Sequence, residues 1–495
     1  MSTARKILSN TMAQVAGKII VALLGLSVVK ISTTYLSVAG YGEYVLIYEF
    51  LAFFGIIADL GLFTIAVKEM AEDEKRIPKI IGNLLTLRTL LVGLSMILAI
   101  GLIFTIPKYA DTRIPLGVVI ASITVFLTII NGTVTSVLQS KLQMGKATIA
   151  TVLGKILSVG FMFWVVFKGF PKDTETGFFM LIAAGNFGAL LMLFVTDHYV
   201  RKITPLTYQF DFKLWKEILK KSLPYGIALI LNTIYFRIDS ILLSFMRGPE
   251  EVGIYGVAMK MLEQFAIIPL YFMNSVLPVL TKSLKEKTDR YKEIIGHAFN
   301  FLAALSVPMV VGGVILAYPV IFIVSTPDFL SRVNEGFYGS DMAFQILIFA
   351  LLFQFLSVLF AFILISLDKQ YKLLYINGAC VIFNLLANFA VIPYYGFRGA
   401  AFTSVLSEFF ILLSTYIAAK KLLDFSINLA GIFKILLSAA VMGAAVYFLQ
   451  KPTYTLVQNW NVLLLAALGA FIYAIMLLIT GAVDKKTLKI LLRKG

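Results

Sequence analysis

The sequence predicts an all-α, polytopic membrane protein of about 14 transmembrane helices, in two six-helix lobes related by pseudo-two-fold symmetry plus two C-terminal helices. Three observations lead there. Of 495 residues, 59% are hydrophobic and only 14% charged, and the mean hydropathy of +0.90 lies far above that of water-soluble domains. Apolar stretches of about 20 residues, the length that crosses a bilayer core, recur along the whole chain. Positive charge gathers in alternate connections between them, which is the signature of a fixed orientation.

In chain order, the first span begins near residue 10 in "MSTARKILSNTMAQVAGKIIVALLGL". Its basic start resembles a secretory signal, but the apolar run is too long and no cleavage site stands out, so it is read as a retained span. Spans 2 to 6 begin near residues 42, 80, 115, 147 and 176. The longest inner connection, "RKITPLTYQFDFKLWKEILKKSLP", then reads as a basic amphipathic helix on the inner leaflet. Phe212, Trp215 and Leu219 would dip into the interface while the lysines meet anionic headgroups. Spans 7 to 12 begin near residues 222, 252, 291, 340, 370 and 397, and spans 13 and 14 near 430 and 457. The expected division is therefore an N-terminal lobe over 1–203, a linker over 204–221, a C-terminal lobe over 222–425, and two last spans with a basic tail over 426–495. "YGEYVLIYEFL" from Tyr41 and "VGIYGVAMKML" from Val252 support a repeat: each opens a span with Gly-x-Tyr and sets a charge, Glu49 or Lys260, at the same later position.

Orientation follows from lysine and arginine. Arg5 and Lys6, Lys68 to Lys79, Lys141 and Lys146, Arg201 to Lys221, Lys282 to Lys292 and Lys485 to Lys494 fall on one side. The other side holds only scattered cations such as Lys108, Arg113, Arg247 and Lys451. The cation-rich side is cytoplasmic, so both termini are expected inside a cell's cytoplasmic membrane. The formal charge of +16 thus reports topology, and no nucleic-acid partner is expected. The single cysteine, Cys380, excludes an intrachain disulfide.

"NLLANFAVIPYYGFRGAAFTSVLSEF", Asn384 to Phe409, resembles the stretch joining spans 11 and 12 in the polysaccharide flippases of the multidrug, oligosaccharidyl-lipid and polysaccharide exporter superfamily. The matching features are Asn384, Asn388, Ile392-Pro393, Gly396, Gly399-Ala400-Ala401, Thr403 and Ser404. "ADLGLFTIAVKEMAED" from Ala58 and the "YGEY" of span 2 are similar to that family as well. The resemblance implies two lobes facing a central cavity. It also implies a polyprenyl-diphosphate-linked oligosaccharide carried from inner to outer leaflet by alternating access, with a polysaccharide polymerase or glycosyltransferases as partners.

Ionisable residues inside spans cost several kcal/mol and ordinarily line a polar path. Counting from span ends at about 1.5 Å per residue matches Lys30 with Glu49 and Lys18 with Asp59 in depth. Arg237, Asp239, Lys260 and Glu263 crowd the second lobe, the last two sharing a helix face. Lys18, Arg88 and Lys155 each lie about eight or nine residues from the inner end of spans 1, 3 and 5, roughly 12 Å above the cytoplasmic face, with only Asp59 as counter-charge. Such a surplus calls for an anion, and a lipid diphosphate supplies one; Asp59 is expected to orient Lys18. Structural pairing is the competing reading of all these charges. Asn377, Asn384 and Asn388 share one face of span 11 and are expected to bond neighbouring helices. Pro269, Pro278 and Pro308 interrupt spans 8 and 9, as kinks or as hinges.

Two other function classes compete. An ion-coupled drug or metabolite antiporter would share the layout, and Glu49 and Asp59 keep it open, whereas two lysines and no acid in span 1 argue for an anionic substrate. A membrane polymerase or ligase would need a large catalytic outer loop, and the outer connections are short. "QMGKATIA" lacks the upstream glycine and the hydroxyl residue of a phosphate-binding loop, so neither nucleotide hydrolysis, a cofactor, a metal nor any enzymatic activity is expected.

Overall fold

The computed structural model describes residues 3–286 and 289–482, with side chains from residue 16 onward apart from 224 and 225. Among the described residues it is built from helices, and no strand is present. In order these are α1 (Thr3–Tyr35), α2 (Val38–Asp59), α3 (Leu62–Glu72), α4 (Ile77–Phe104), α5 (Ile114–Ser140), α6 (Met144–Trp164), α7 (Glu175–Arg201) and α8 (Phe212–Met246). There follow α9 (Pro249–Phe265), α10 (Ile267–Lys285), α11 (Arg290–Ile315), α12 (Ala317–Val324), α13 (Ser340–Ser366), α14 (Tyr371–Lys420), α15 (Leu429–Val457) and α16 (Asn461–Thr480). Among the described residues, twelve helical stretches are long and apolar enough to cross a membrane. Two of them, of 50 and 52 residues, are too long for one crossing of about 30 Å. The first bends at Gly396, whose φ is 56°, and the second at a short 3-10 turn, Gln458–Trp460. Each therefore holds two spans, as expected for spans 11 to 14.

Ends and breaks follow local chemistry. Ser37 accepts from Gly40 N–H at 3.1 Å to start α2, and Asp211 accepts from Lys213 and Leu214 N–H at 3.1 Å to start α8. Pro78 and Pro115 occupy the first turns of α4 and α5, where no amide hydrogen is needed. Span 2 is interrupted: Leu60 and Gly61 both take left-handed backbone, φ 43° and 73°, so α2 stops at Asp59 and α3 starts anew.

Two compact units form, Met1–Gly253 and Ile254–Gly495. In the first, α1 packs on α6, α6 and α5 on α7, and α2 on α4, α5 and α8. A Cβ on Gly154 would strike the Gly188 carbonyl and the reverse holds, so α6 and α7 meet backbone to backbone. The linker is not a separate helix. Residues 204–211 lie outside any helix, and from Phe212 the chain is already α8. Leu214 and Ile218 form its buried face; Phe212 is exposed and the Trp215 indole donates to Asn83 Oδ1 at 3.1 Å.

In the second unit α13 packs on α14, α15 on α16, and α11 on α13 and α15. Asn388 donates to Asn384 Oδ1 at 3.0 Å and Asn384 to Ser407 Oγ at 3.3 Å, so these two bond within span 11 and across to span 12, while Asn377 is half-buried. Buried Cys380 points its Sγ at the Ser407 carbonyl, 3.7 Å away. An apolar cavity of about 420 Å³ lies among α11, α13, α15 and α16.

Candidate substrate site

Arg88 sits inside α4 with 2% of its surface exposed. Its Nη2 donates to Asp59 Oδ1, while Nε and Nη1 are buried and meet no acceptor among the described residues. Asp59 is the last residue of α2, so the Leu60–Gly61 break sets its carboxylate against α4. Lower still on α3 and α8, Glu69 gathers Lys221 at 2.6 Å and Arg76 at 3.7 Å. Two turns of α4 above the pair, Ser95 Oγ donates to the Phe54 carbonyl at 2.7 Å and ties α4 to α2.

The expected partners change accordingly. Asp59 takes Arg88 rather than Lys18, because α2 packs on α4 while α1 packs chiefly on α6. Glu49 takes Arg237, a partner the depth count did not offer: Arg237 Nη1 donates to Glu49 Oε2 at 2.5 Å, both on the facing surfaces of α2 and α8. Nor do the three cations share one layer. A Cβ on Gly17 would strike Thr148, so Gly17 is level with Thr148 on the parallel helix α6. Lys18 therefore lies about six residues, roughly 9 Å, below Lys155. Lys18 is exposed and Lys155 half-buried, two turns above Thr148 on the same face.

Lys260 and Glu263 pair on one face of α9 at 3.0 Å, as their spacing predicts, and both are partly exposed. Asp239 is buried in α8 and Lys30 half-buried in α1. Pro278 and Pro308 lie inside α10 and α11, but Pro269 stands in the first turn of α10, just beyond the break at Ala266. Pro308 lacks the amide hydrogen that would reach the Ala304 carbonyl. Tyr473 on α16 supplies it instead, donating to Ala304 O at 2.9 Å. At the opposite end of the first unit, Arg113 donates to Glu43 Oε2 and Asp173 Oδ1, both at 2.8 Å, beneath the Phe178 ring. Burial pushes Asp173 up, but bonds from Ser37 and Arg113 outweigh it and hold the carboxyl below its usual range. Among the described residues no group of three or more His, Cys, Asp or Glu is placed to hold a metal.

The Leu60–Gly61 break and the Tyr473 bond were not anticipated. The first had a signal in "ADLGLF", where a polar residue and a glycine interrupt an apolar run; the second joins residues too distant in sequence to leave one.

A family model described as polysaccharide biosynthesis protein matches residues 7–284, and the MatE model matches residues 224–390. A curated relative, the probable flippase AglR of Haloferax volcanii, is 25% identical over 178 residues, 35% of this chain and 35% of its own. The chain thus spans about a third of the length of that relative. The lipid II flippase MurJ, in an inward closed conformation, is similar in fold with a TM-score of 0.74 at 14% identity, over 95% of this chain and 98% of its own. An inward-facing multidrug resistance MATE family transporter of the MOP superfamily has a TM-score of 0.63 at 16% identity, over 81% and 93% of the two chains.

Proposed function

Because the chain belongs to the polysaccharide biosynthesis protein family, we propose that it is a flippase, carrying a lipid-diphosphate-linked oligosaccharide from the inner to the outer leaflet of the cytoplasmic membrane. One observation carries the reading to a site: Arg88, buried in a membrane-spanning helix, has two donor groups, Nε and Nη1, that meet no acceptor among the described residues. Unmet donors in a low-dielectric interior are costly and phosphate oxygens satisfy them; with Nη2 released from Asp59, Nη2 and a neighbouring donor form a fork that a diphosphate meets with two parallel bonds. Arg88 is the phosphate-binding group, Lys155 and Lys18 lie along the route as point charges, and Asp59 holds Arg88 until the anion displaces it. The left-handed break beside Asp59 lets the end of α2 yield without unwinding the helix. Glu49, Arg237, Asp239, Lys260, Glu263 and Lys30 serve the carrier's framework and cavity, and a polymerase or glycosyltransferase consumes or supplies the substrate.

Arg88→Ala should abolish flipping in proteoliposomes loaded with a polyprenyl-diphosphate sugar, and Arg88→Lys should recover only part, since a point charge replaces a fork. Full activity in Arg88→Ala protein that is correctly inserted would remove the site. The match of residues 224–390 to the MatE model supports a second reading, an ion-coupled antiporter. That reading requires proton- or sodium-dependent export of a soluble compound, with Asp59→Asn abolishing the dependence.

A further inference from the structure

We propose that the elbow joining α7 to α8 is a binding surface for anionic lipid headgroups, whatever substrate the protein carries. Residues 204–211 form a non-helical strap bonded along the start of α4. Gln209 N–H donates to the Gly82 carbonyl at 3.2 Å and lies 3.1 Å from Thr86 Oγ1; Asp211 N–H donates to Asn83 Oδ1 at 2.6 Å. Lys79 pairs with Asp211 at 2.8 Å. A Cβ on Gly82 would meet the Thr207 carbonyl at 2.6 Å, so only glycine lets the strap lie this close.

The Gln209 side chain lies against Gly82 and the Asp211 carboxylate takes Lys79, whereas the residues beside and between them, Tyr208, Phe210 and Phe212, are 63%, 67% and 74% exposed. Three large rings side by side in the open cannot be core packing. Lys213, Lys216 and Lys220 continue the surface along one face of α8, and all three are exposed. Lys221, one position on, is held by Glu69 and Glu217 at 2.6 and 2.7 Å, whereas no carboxylate pairs with the other three among the described residues. Aromatic rings beside unpaired lysines match the boundary between acyl chains and anionic phosphates. The docked occupant is thus the phosphate of an anionic lipid, and through Gly82, Asn83 and Thr86 it fixes the height of the helix that carries Arg88.

Trp215 reports on this surface, its indole 5.2 Å from Phe212 and 5.8 Å from Phe210. Trp164→Phe with Trp460→Phe, both at exposed positions, leaves it the sole tryptophan of the three. Full-length protein is placed in mixed bilayers with bromine on the chains of either phosphatidylglycerol or phosphatidylcholine. Brominated phosphatidylglycerol should quench Trp215 several-fold more at equal mole fraction, and the preference should fall as salt screens the lysines. Each lysine near an anionic surface is worth about fivefold in affinity, so Lys213→Gln, Lys216→Gln and Lys220→Gln together should erase the preference while quenching persists. Phe210→Ser with Phe212→Ser should reduce quenching by both lipids. Equal quenching by the two lipids in the parent, or a preference that survives the triple lysine variant, would overturn the proposal. All variants alter exposed side chains, and an unchanged gel-filtration profile confirms that each is folded.

Discussion

Among the described residues Arg88 has one acceptor for three donor groups, and Asp59 is the carboxylate that offsets its charge. Removing either partner strands the other in a low-dielectric interior, which costs about 3–5 kcal/mol when both are buried. Asp59 is partly exposed, so Arg88→Gln should fall below that range and Asp59→Asn within it. The double variant should be more stable than Asp59→Asn, because the stranded cation is gone. Thermal midpoints in detergent check this, and strictly additive losses would mean the two groups do not interact. The depth of both residues was legible in the sequence, since residue counts convert to height along a helix. Which cation Asp59 meets was not: height says nothing of which helix faces which, and on α1 it is Gly17 that faces α6, leaving Lys18 exposed.

Breaks in the helices show how one element leans on another. The kink at Pro308 leaves the Ala304 carbonyl facing an apolar cavity, and the Tyr473 hydroxyl fills the gap from α16. Tyr473→Phe should therefore cost about 1–3 kcal/mol, the penalty of a buried carbonyl without a donor. Pro308→Ala in the same chain should restore the loss by returning an amide hydrogen to Ala304. A Tyr473→Phe melting midpoint equal to that of the parent would show the bond contributes nothing. The strap obeys a different control. Its Asp211 carboxyl is held below the usual range by Lys79 first, then by the Leu214 and Lys213 amides. A carboxylate depressed on folding contributes stability above its unfolded pKa and loses it as pH falls through the folded value. Anchoring is thus complete at neutral pH and is lost only on the acid side of the ordinary carboxylate range, as pH falls through the depressed folded value. Trp215 emission should shift to the red on that acid limb, and Asp211→Asn should remove the step. Charge made this segment legible as a linker, but its docking on α4 was hidden, because it rests on Asn83 and Gly82 more than a hundred residues away.

Over the whole chain, fourteen spans were legible because hydrocarbon thickness imposes a length on every crossing, and the bends at Gly396 and Gln458–Trp460 fall where that length runs out. Packing follows other rules. Composition singles out 204–221, whereas α8 continues unbroken from Phe212 and docks on α2 and α3, so the first compact unit extends to Gly253. Orientation depends on charge alone and is open to a direct test. With an even number of spans, reporter fusions after Lys220 and at Gly495 should both read as cytoplasmic, and a fusion at Asn334, in the connection between α12 and α13, as external. Arg332 is the only cation between Lys292 and Lys369, while both neighbouring connections are rich in lysine. Inserting four lysines beside Asn334 should therefore disturb the insertion of α11 and α13 and lower the yield of folded protein, because the added charge opposes translocation. An external Gly495 would remove one crossing, and the last helical stretch would then have to be a single span bent back into the bilayer at Gln458–Trp460.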